Sequence, residues 1–266
     1  NDVTFAQAKI VDDGSNSGTN TYNINDTAAN LAAGTVTSVN AINGAGTVTS
    51  SSNAIAAEAS KMAGISQAIV YSISDTAAYI VANMGGLNEA VNITSTDSCT
   101  FAQGKVIEDA TNSGTITYNI SDTAANISAG IGSDAAVITA ATNVSANTYA
   151  TVAELEVIGA NANVITFSVK DTAALLAGAT AARILKAVNT IATTSATVAQ
   201  ATSIDTKTNE GAGGYNTFNI EDTDANVAGA GNALLAQAGS VTVSGTSTIA
   251  HAVTMSGFTK AVTYNI

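Results

Sequence analysis

Five aspartates stand at near-even intervals along the chain, each followed by threonine: Asp26, Asp75, Asp122, Asp171 and Asp222. Such a row of carboxylates has two uses. It can supply oxygens to Ca²⁺, which takes about six to eight of them. It can also accept hydrogen bonds from the free N–H groups of a helix first turn, where the dipole favours negative charge. Each aspartate precedes an Ala-rich run, so the five read as structural helix caps, with cation ligation as the alternative. The glycine-rich nonapeptides of calcium-binding β-helices do not occur. Asp12-Asp13 and Glu108-Asp109, in equivalent loops, offer a weak surface cation site. No cofactor is expected, and calcium at the surface is the one metal reading left open.

The other reactive residues are sparse. His251 is the single histidine and occupies a position that is Gln or Glu in related segments, so it reads as a repeat variant rather than a general base. A Ser-His-Asp site would need a distinctive serine turn, and no G-x-S-x-G is present. Cys99 is the only cysteine; it replaces Val3 of an earlier segment and reads as a small buried hydrophobe. Zinc would need His/Cys clusters, which are absent. Glu154 and Glu156 do not make a glycosidase pair by spacing alone. Gly211, Gly213 and Gly214 lie in a lengthened loop with no Lys-Ser/Thr to complete a phosphate loop. No catalytic residue and no metal ligand set is therefore assigned, and an enzyme is not expected.

The elements that hold these residues repeat. One motif, Y-x-I-x-D-T-A-A, runs over Tyr22–Ala29, Tyr71–Ala78 and Tyr118–Ala125, continues with Phe167 and Phe218 in the aromatic place, and begins again at Tyr264. Its aspartates are 49, 47, 49 and 51 residues apart. A second motif, T-φ-A-Q/E, falls between at Thr4–Gln7, Thr100–Gln103, Thr151–Glu154, Thr197–Gln200 and Thr248–His251, with a degenerate copy at Ile55–Glu58. Residues 1–30 match 97–126 at an offset of 96, so the duplicated unit holds two repeats.

Each motif predicts a short strand and then a short helix. In Tyr118-Asn119-Ile120-Ser121 apolar and polar residues alternate with period two, and Ala124-Ala125-Asn126-Ile127 follows as a helix ending near Gly130. The second half has a strand at Val91–Thr94 and a helix capped by Thr100, with matching strand centres at Val48, Ile93, Val144, Ile191 and Val243. The fold class is then an α/β repeat solenoid of parallel strands and short helices, about 24 residues per coil and about 48 per two-coil repeat. Residues 1–266 read as one continuous solenoid. Tyr22, Tyr71, Tyr118, Phe167, Phe218 and Tyr264 would form an inward aromatic ladder holding six of the twelve aromatic rings, rather than a carbohydrate-stacking platform. Both ends fall inside the pattern, which suggests a fragment of a longer array.

Composition limits the function. Twenty acids against eight bases give a net charge of −12, which repels nucleic acid and anionic membranes. Proline and tryptophan are absent and only 11% of residues are charged, yet regularly spaced Val, Ile and Leu argue for a folded chain. No apolar run is long enough for a transmembrane segment. Sequons at Asn25, Asn92, Asn119, Asn126 and Asn143 follow from the composition.

The recurring Tyr118-Asn119-Ile120-Ser121-Asp122-Thr123-Ala124-Ala125-Asn126 and Thr197-Val198-Ala199-Gln200 resemble the repeats of very long bacterial cell-surface proteins, adhesin-like and surface-layer-like chains among them. The resemblance spans the whole chain and brings no catalytic residues with it. It implies secretion, an extracellular place at the cell surface, and a structural role in a filament, sheath or surface layer. An adhesin stalk or glycan-binding module of a large secreted protein is the alternative. Expected partners are like repeats or subunits in a homopolymeric assembly, with cell-surface glycans under the alternative.

Overall fold

The computed structural model describes residues 1–15, 18–207 and 216–266. It is an α/β structure of short parallel strands joined through short helices, in two compact units. One comprises residues 1–121 with 136–143, and the other residues 122–135 with 144–266.

In the first unit Asp2–Val3, Asn23–Asp26, Val48–Ser50 and Ile69–Val70 pair in succession, all parallel. A second run pairs Ile73–Asp75 with Ile93–Cys99, and that strand with Ile116–Asp122. In the second unit Val144 and Ser145 pair with Ile165 and Thr166. Val169–Asp171, Thr190–Ala192 and Asn216–Thr217 form one further run, and Ile220–Asp222, Val241–Thr246 and Val262–Asn265 another. Register partners lie from 19 residues apart, as at Thr246 and Asn265, to 26 apart, as at Thr190 and Asn216. Parallel neighbours need a crossover, and each crossover here carries a helix.

The helices are six to ten residues long in both motifs, too short to persist alone. Two things hold them. Their N-termini are capped, and their inner faces pack helix on helix: Ala28–Thr37 against Ala56–Met62, Ala124–Ser133 against Val152–Ile158, Ala173–Gly178 against Val198–Asp205. Small Ala faces permit that approach, while Leu31, Ile80, Ile127, Leu155, Leu176 and Ile204 fill the space toward the strands. At Gly86 an added Cβ would lie 2.5 Å from the Ala59 carbonyl carbon, so only glycine fits there.

The strand face alternates as expected, with Ile24, Val48, Ile73, Ile93, Val144 and Ile220 buried. Two strand centres differ from the sequence reading. Thr190 and Val241, not Ile191 and Val243, share the inward register with Val48 and Ile93. A one-residue slip turns Ile191 outward, whereas Val243 lies two residues on and stays buried. The strand expected at Val91–Thr94 runs over Ile93–Cys99, and the helix expected to stop near Gly130 continues to Ser133.

Each strand of the second motif is followed by a recurring irregularity. Val48 pairs with Ile69, but Ala54 pairs with Ile73, so the longer segment loops out two extra residues before pairing resumes. The same excursion occurs between Thr94 and Ser98, Val144 and Ala150, Thr190 and Ala196, and Thr242 and Thr246. It is a β-bulge repeated in register, and it lifts two or three polar side chains off the sheet.

Candidate functional site

The repeated aspartates do not occupy the cap position itself. The N-cap residues are Thr27, Thr76, Thr123, Thr172 and Thr223, each with its hydroxyl accepting from the backbone N–H three residues on. Asp26, Asp75, Asp122, Asp171 and Asp222 stand one residue earlier, and the assignment of these five as caps is corrected accordingly. In all five, Oδ1 accepts from the following Thr N–H at 2.7–2.8 Å. Asn30, Asn126 and Asn226 donate a second bond to the same oxygen at Asp26, Asp122 and Asp222.

The second oxygen reaches another segment. Asp26 Oδ2 accepts from Phe5 N–H at 2.9 Å, Asp75 from Ala56, Asp171 from Val152 and Asp222 from Val198. Each donor is the first residue of a helix begun by the second motif. Burial alone would raise the carboxyls of Asp26 and Asp222; the bonds from Asn30 or Asn226 and from two backbone N–H groups outweigh it and hold both below the ordinary range.

The helices of the first motif receive the same service from the bulges. Ala28 N–H donates to Ser52 Oγ, Ala77 to Asp97 Oδ1, Ala124 to Thr148 Oγ1 and Ala173 to Thr194 Oγ1. The fifth equivalent position is Gly245, at φ +90°, with no side chain to offer. Orphan N–H groups at helix starts are thus satisfied by the segment that follows in the chain. The bulge residues Ser52, Asp97, Thr148 and Thr194 were not singled out from the sequence. Their only local signal is a polar residue four places after the inward Val48, Ile93, Val144 or Thr190.

Tyr22, Tyr71, Tyr118, Phe167 and Phe218 are buried, as the aromatic ladder requires, and Tyr264 is half-buried. The tyrosine hydroxyls add a second tie: Tyr22 donates to Ala41 carbonyl, Tyr71 to Gly86 and Tyr118 to Val137, at 2.7–2.8 Å. Burial raises the Tyr22 and Tyr71 hydroxyls, with Asp12 and Glu89 adding to it respectively.

The isolated candidates are absorbed into the same framework. Glu154 completes a capping box with Thr151, as Gln7, Gln103 and Gln200 do with Thr4, Thr100 and Thr197. Ile55 lacks the hydroxyl, so only the Glu58 half remains. Glu156 pairs with Arg183 at 2.9 Å and accepts from Thr180; the Thr180 backbone bond is the main cause of its lowered pKa. Asp13 and Asp109 are taken by Lys9 and Lys105 one turn earlier. Cys99 is buried, and burial raises its thiol. Among the described residues no group of three His, Cys, Asp or Glu side chains converges as a metal site would require. Gly211, Gly213 and Gly214 lie outside the described residues.

Two departures from the repeat meet each other. His251 replaces the Gln/Glu of the capping box, and Asp224 replaces an Ala of the first motif. Asp224 Oδ2 accepts from the His251 ring at 2.7 Å and from Thr248 N–H at 3.1 Å. Asp224 therefore supplies the acceptor that Gln would have offered. The bond from His251 is the main cause of its lowered pKa, followed by the Thr248 backbone bond.

The bulges also shape the surface. An open groove of about 340 Å³ lies among Ala146, Asn147, Thr148, Tyr149, Thr166 and Phe167, and one of about 250 Å³ lies at the equivalent Ser50–Asn53 position of the first unit. No helix among the described residues is long and apolar enough to cross a membrane. The chain matches no protein-family model, no curated protein and no solved structure.

Proposed function

We propose that this chain is a stretch of α/β solenoid that serves as extracellular structural material, part of a filament, sheath or surface layer at the cell surface, and that it is not an enzyme. One observation carries the reading. The side chains an enzyme would gather into one cleft recur here at the repeat period, and each joins one segment to the next: Asp26, Asp75, Asp171 and Asp222 to helix N–H groups, and Tyr22, Tyr71 and Tyr118 to carbonyls. Stability in such an array is a sum of neighbour terms, which suits a chain whose task is length and stiffness. Like repeats or subunits are its partners, and the charge of −12 leaves room for divalent cations between neighbours.

Immunogold labelling and electron microscopy of the producing cells test this. Label along regular fibres or a surface lattice is the expected result. A protein confined to the cell interior as discrete particles would refute the reading. The second reading, an adhesin stalk or glycan-binding module of a large secreted protein, is favoured by the half-exposed Tyr149 ring that lines the 340 Å³ groove and has Lys170 above it.

A further inference from the structure

We infer that the groove beside Tyr149 binds a carboxylated saccharide, a uronate-bearing oligosaccharide, with the Tyr149 ring as stacking surface and Lys170 as the partner of the carboxylate. The inference rests on the glycan-binding reading and gives it a ligand class.

Two residues depart from the repeat at this place, an aromatic ring and a lysine that no other segment carries at the equivalent positions. The bulge position held by Tyr149 is Asn53, Ser98, Ser195 and Thr246 in the other segments. The position held by Lys170, just before the motif aspartate, is Asn25, Ser74, Ser121 and Glu221 elsewhere. In the folded chain Lys170 Nζ stands 5.6 Å from the Tyr149 ring centroid. Neither residue serves the core: Tyr149 is 51% exposed and Lys170 is exposed. Lys170 forms no ion pair among the described residues, in a chain with twenty acids. An exposed cation–π contact contributes only ~0.5–1 kcal/mol, so the pair is not explained by stability.

The groove has the chemistry a sugar ring needs. A pyranose presents an apolar C–H face and a rim of hydroxyls, and it is recognised by an aromatic face together with amide and hydroxyl groups. The Asn147 side-chain amide, the Tyr149 hydroxyl and the Thr166 hydroxyl belong to residues that line the groove and have no hydrogen-bond partner among the described residues. Its 340 Å³ lies within the range of about 300–1,000 Å³ usual for ligand clefts. Lys170, which adjoins the groove through the Tyr149 ring, selects a carboxylated sugar over a neutral one. The first unit provides an internal control, because its equivalent groove carries Asn53 and has Ser74 where the second unit has Lys170.

Titration of the ¹⁵N-labelled chain with tetragalacturonate and, separately, cellotetraose tests the assignment. Tetragalacturonate should shift the amide resonances of 146–149 and 166–170 and bind at least tenfold more tightly than cellotetraose. Tyr149→Asn, which restores the residue of the first unit at a surface site, should weaken tetragalacturonate at least tenfold. Lys170→Ser should abolish its advantage over cellotetraose, and Tyr79→Ala, an exposed ring in the first unit, should change nothing. Equal or tighter binding of cellotetraose at the groove would sink the carboxylate assignment and leave the glycan-binding reading standing. Absence of binding by either probe at millimolar concentration would sink both.

Discussion

Replacing Asp222 by Asn separates a simple cap from a tie between two segments. The carboxylate makes three bonds: Oδ1 accepts from Thr223 N–H at 2.8 Å and Asn226 Nδ2 at 2.9 Å, and Oδ2 from Val198 N–H at 2.9 Å. A cap could accept Asn at almost no cost. A tie cannot, because Asn has one oxygen and its NH₂ group must face a donor on one side. If the oxygen keeps Thr223 and Asn226, the Val198 N–H is orphaned. A bond to a charged group contributes about 1.5–3 kcal/mol when dry. Asp222 is half-buried, so water recovers part of that, and Asp222→Asn should cost about 1 kcal/mol and Asp222→Ala about 2–3 kcal/mol. Urea unfolding followed by far-ultraviolet circular dichroism measures the totals. Amide exchange localises them: the Val198 N–H, 24 residues away, should exchange several-fold faster in the Asn variant. An Asn variant as stable as the parent, with unchanged Val198 protection, would refute the two-sided tie. A loss restored by millimolar Ca²⁺ would revive metal ligation.

Acid should weaken the protein through the same carboxylates. The folded pKa values of Asp26, Asp222 and Asp224 lie below their ordinary value, so their contribution is complete above roughly pH 4–5 and is lost as pH falls through the folded values. Denaturant midpoints measured from pH 7 down to pH 2 should show a plateau and then a decline, smaller in Asp222→Asn. Tyr118→Phe should cost about 1–2 kcal/mol in urea unfolding, because the ring is fully buried and the Val137 carbonyl loses its donor, whereas Tyr118→Ala should cost about 3–5 kcal/mol. Asp224→Ala should destabilise the parent yet be tolerated once His251→Gln restores the capping box, a non-additivity that a double-mutant thermal-melt cycle would read directly. Gly86→Ala should cost about 1–3 kcal/mol by overpacking, visible as a lowered urea midpoint.

The sequence by itself determined features whose physical cause lies within a turn or two of chain. The repeat at an offset of 96, the parallel strands with short helices between them, and the Thr100–Gln103 and Thr151–Glu154 capping boxes follow from periodicity and from groups three or four residues apart. The inward aromatic positions also follow, since a recurring ring among Ala, Asn and Thr has no cheaper place than the interior. The aspartates were placed within one residue of their role, because Asp and Thr are both good caps and composition does not rank them.

Only the tertiary structure decided who meets whom across segments. The second oxygen of Asp26 reaches Phe5, 21 residues back, and that of Asp222 reaches Val198, 24 back, because segment length varies and each bulge inserts two unpaired residues. Thr190 took the inward place from Ile191 for the same reason, since register is set by the neighbouring strand and not by local hydrophobicity. Tyr149 with Lys170 and Asp224 with His251 look in the sequence like unrelated exceptions 21 and 27 residues apart. The fold turns each into a contact, because parallel neighbours stand side by side only once a full crossover has been completed.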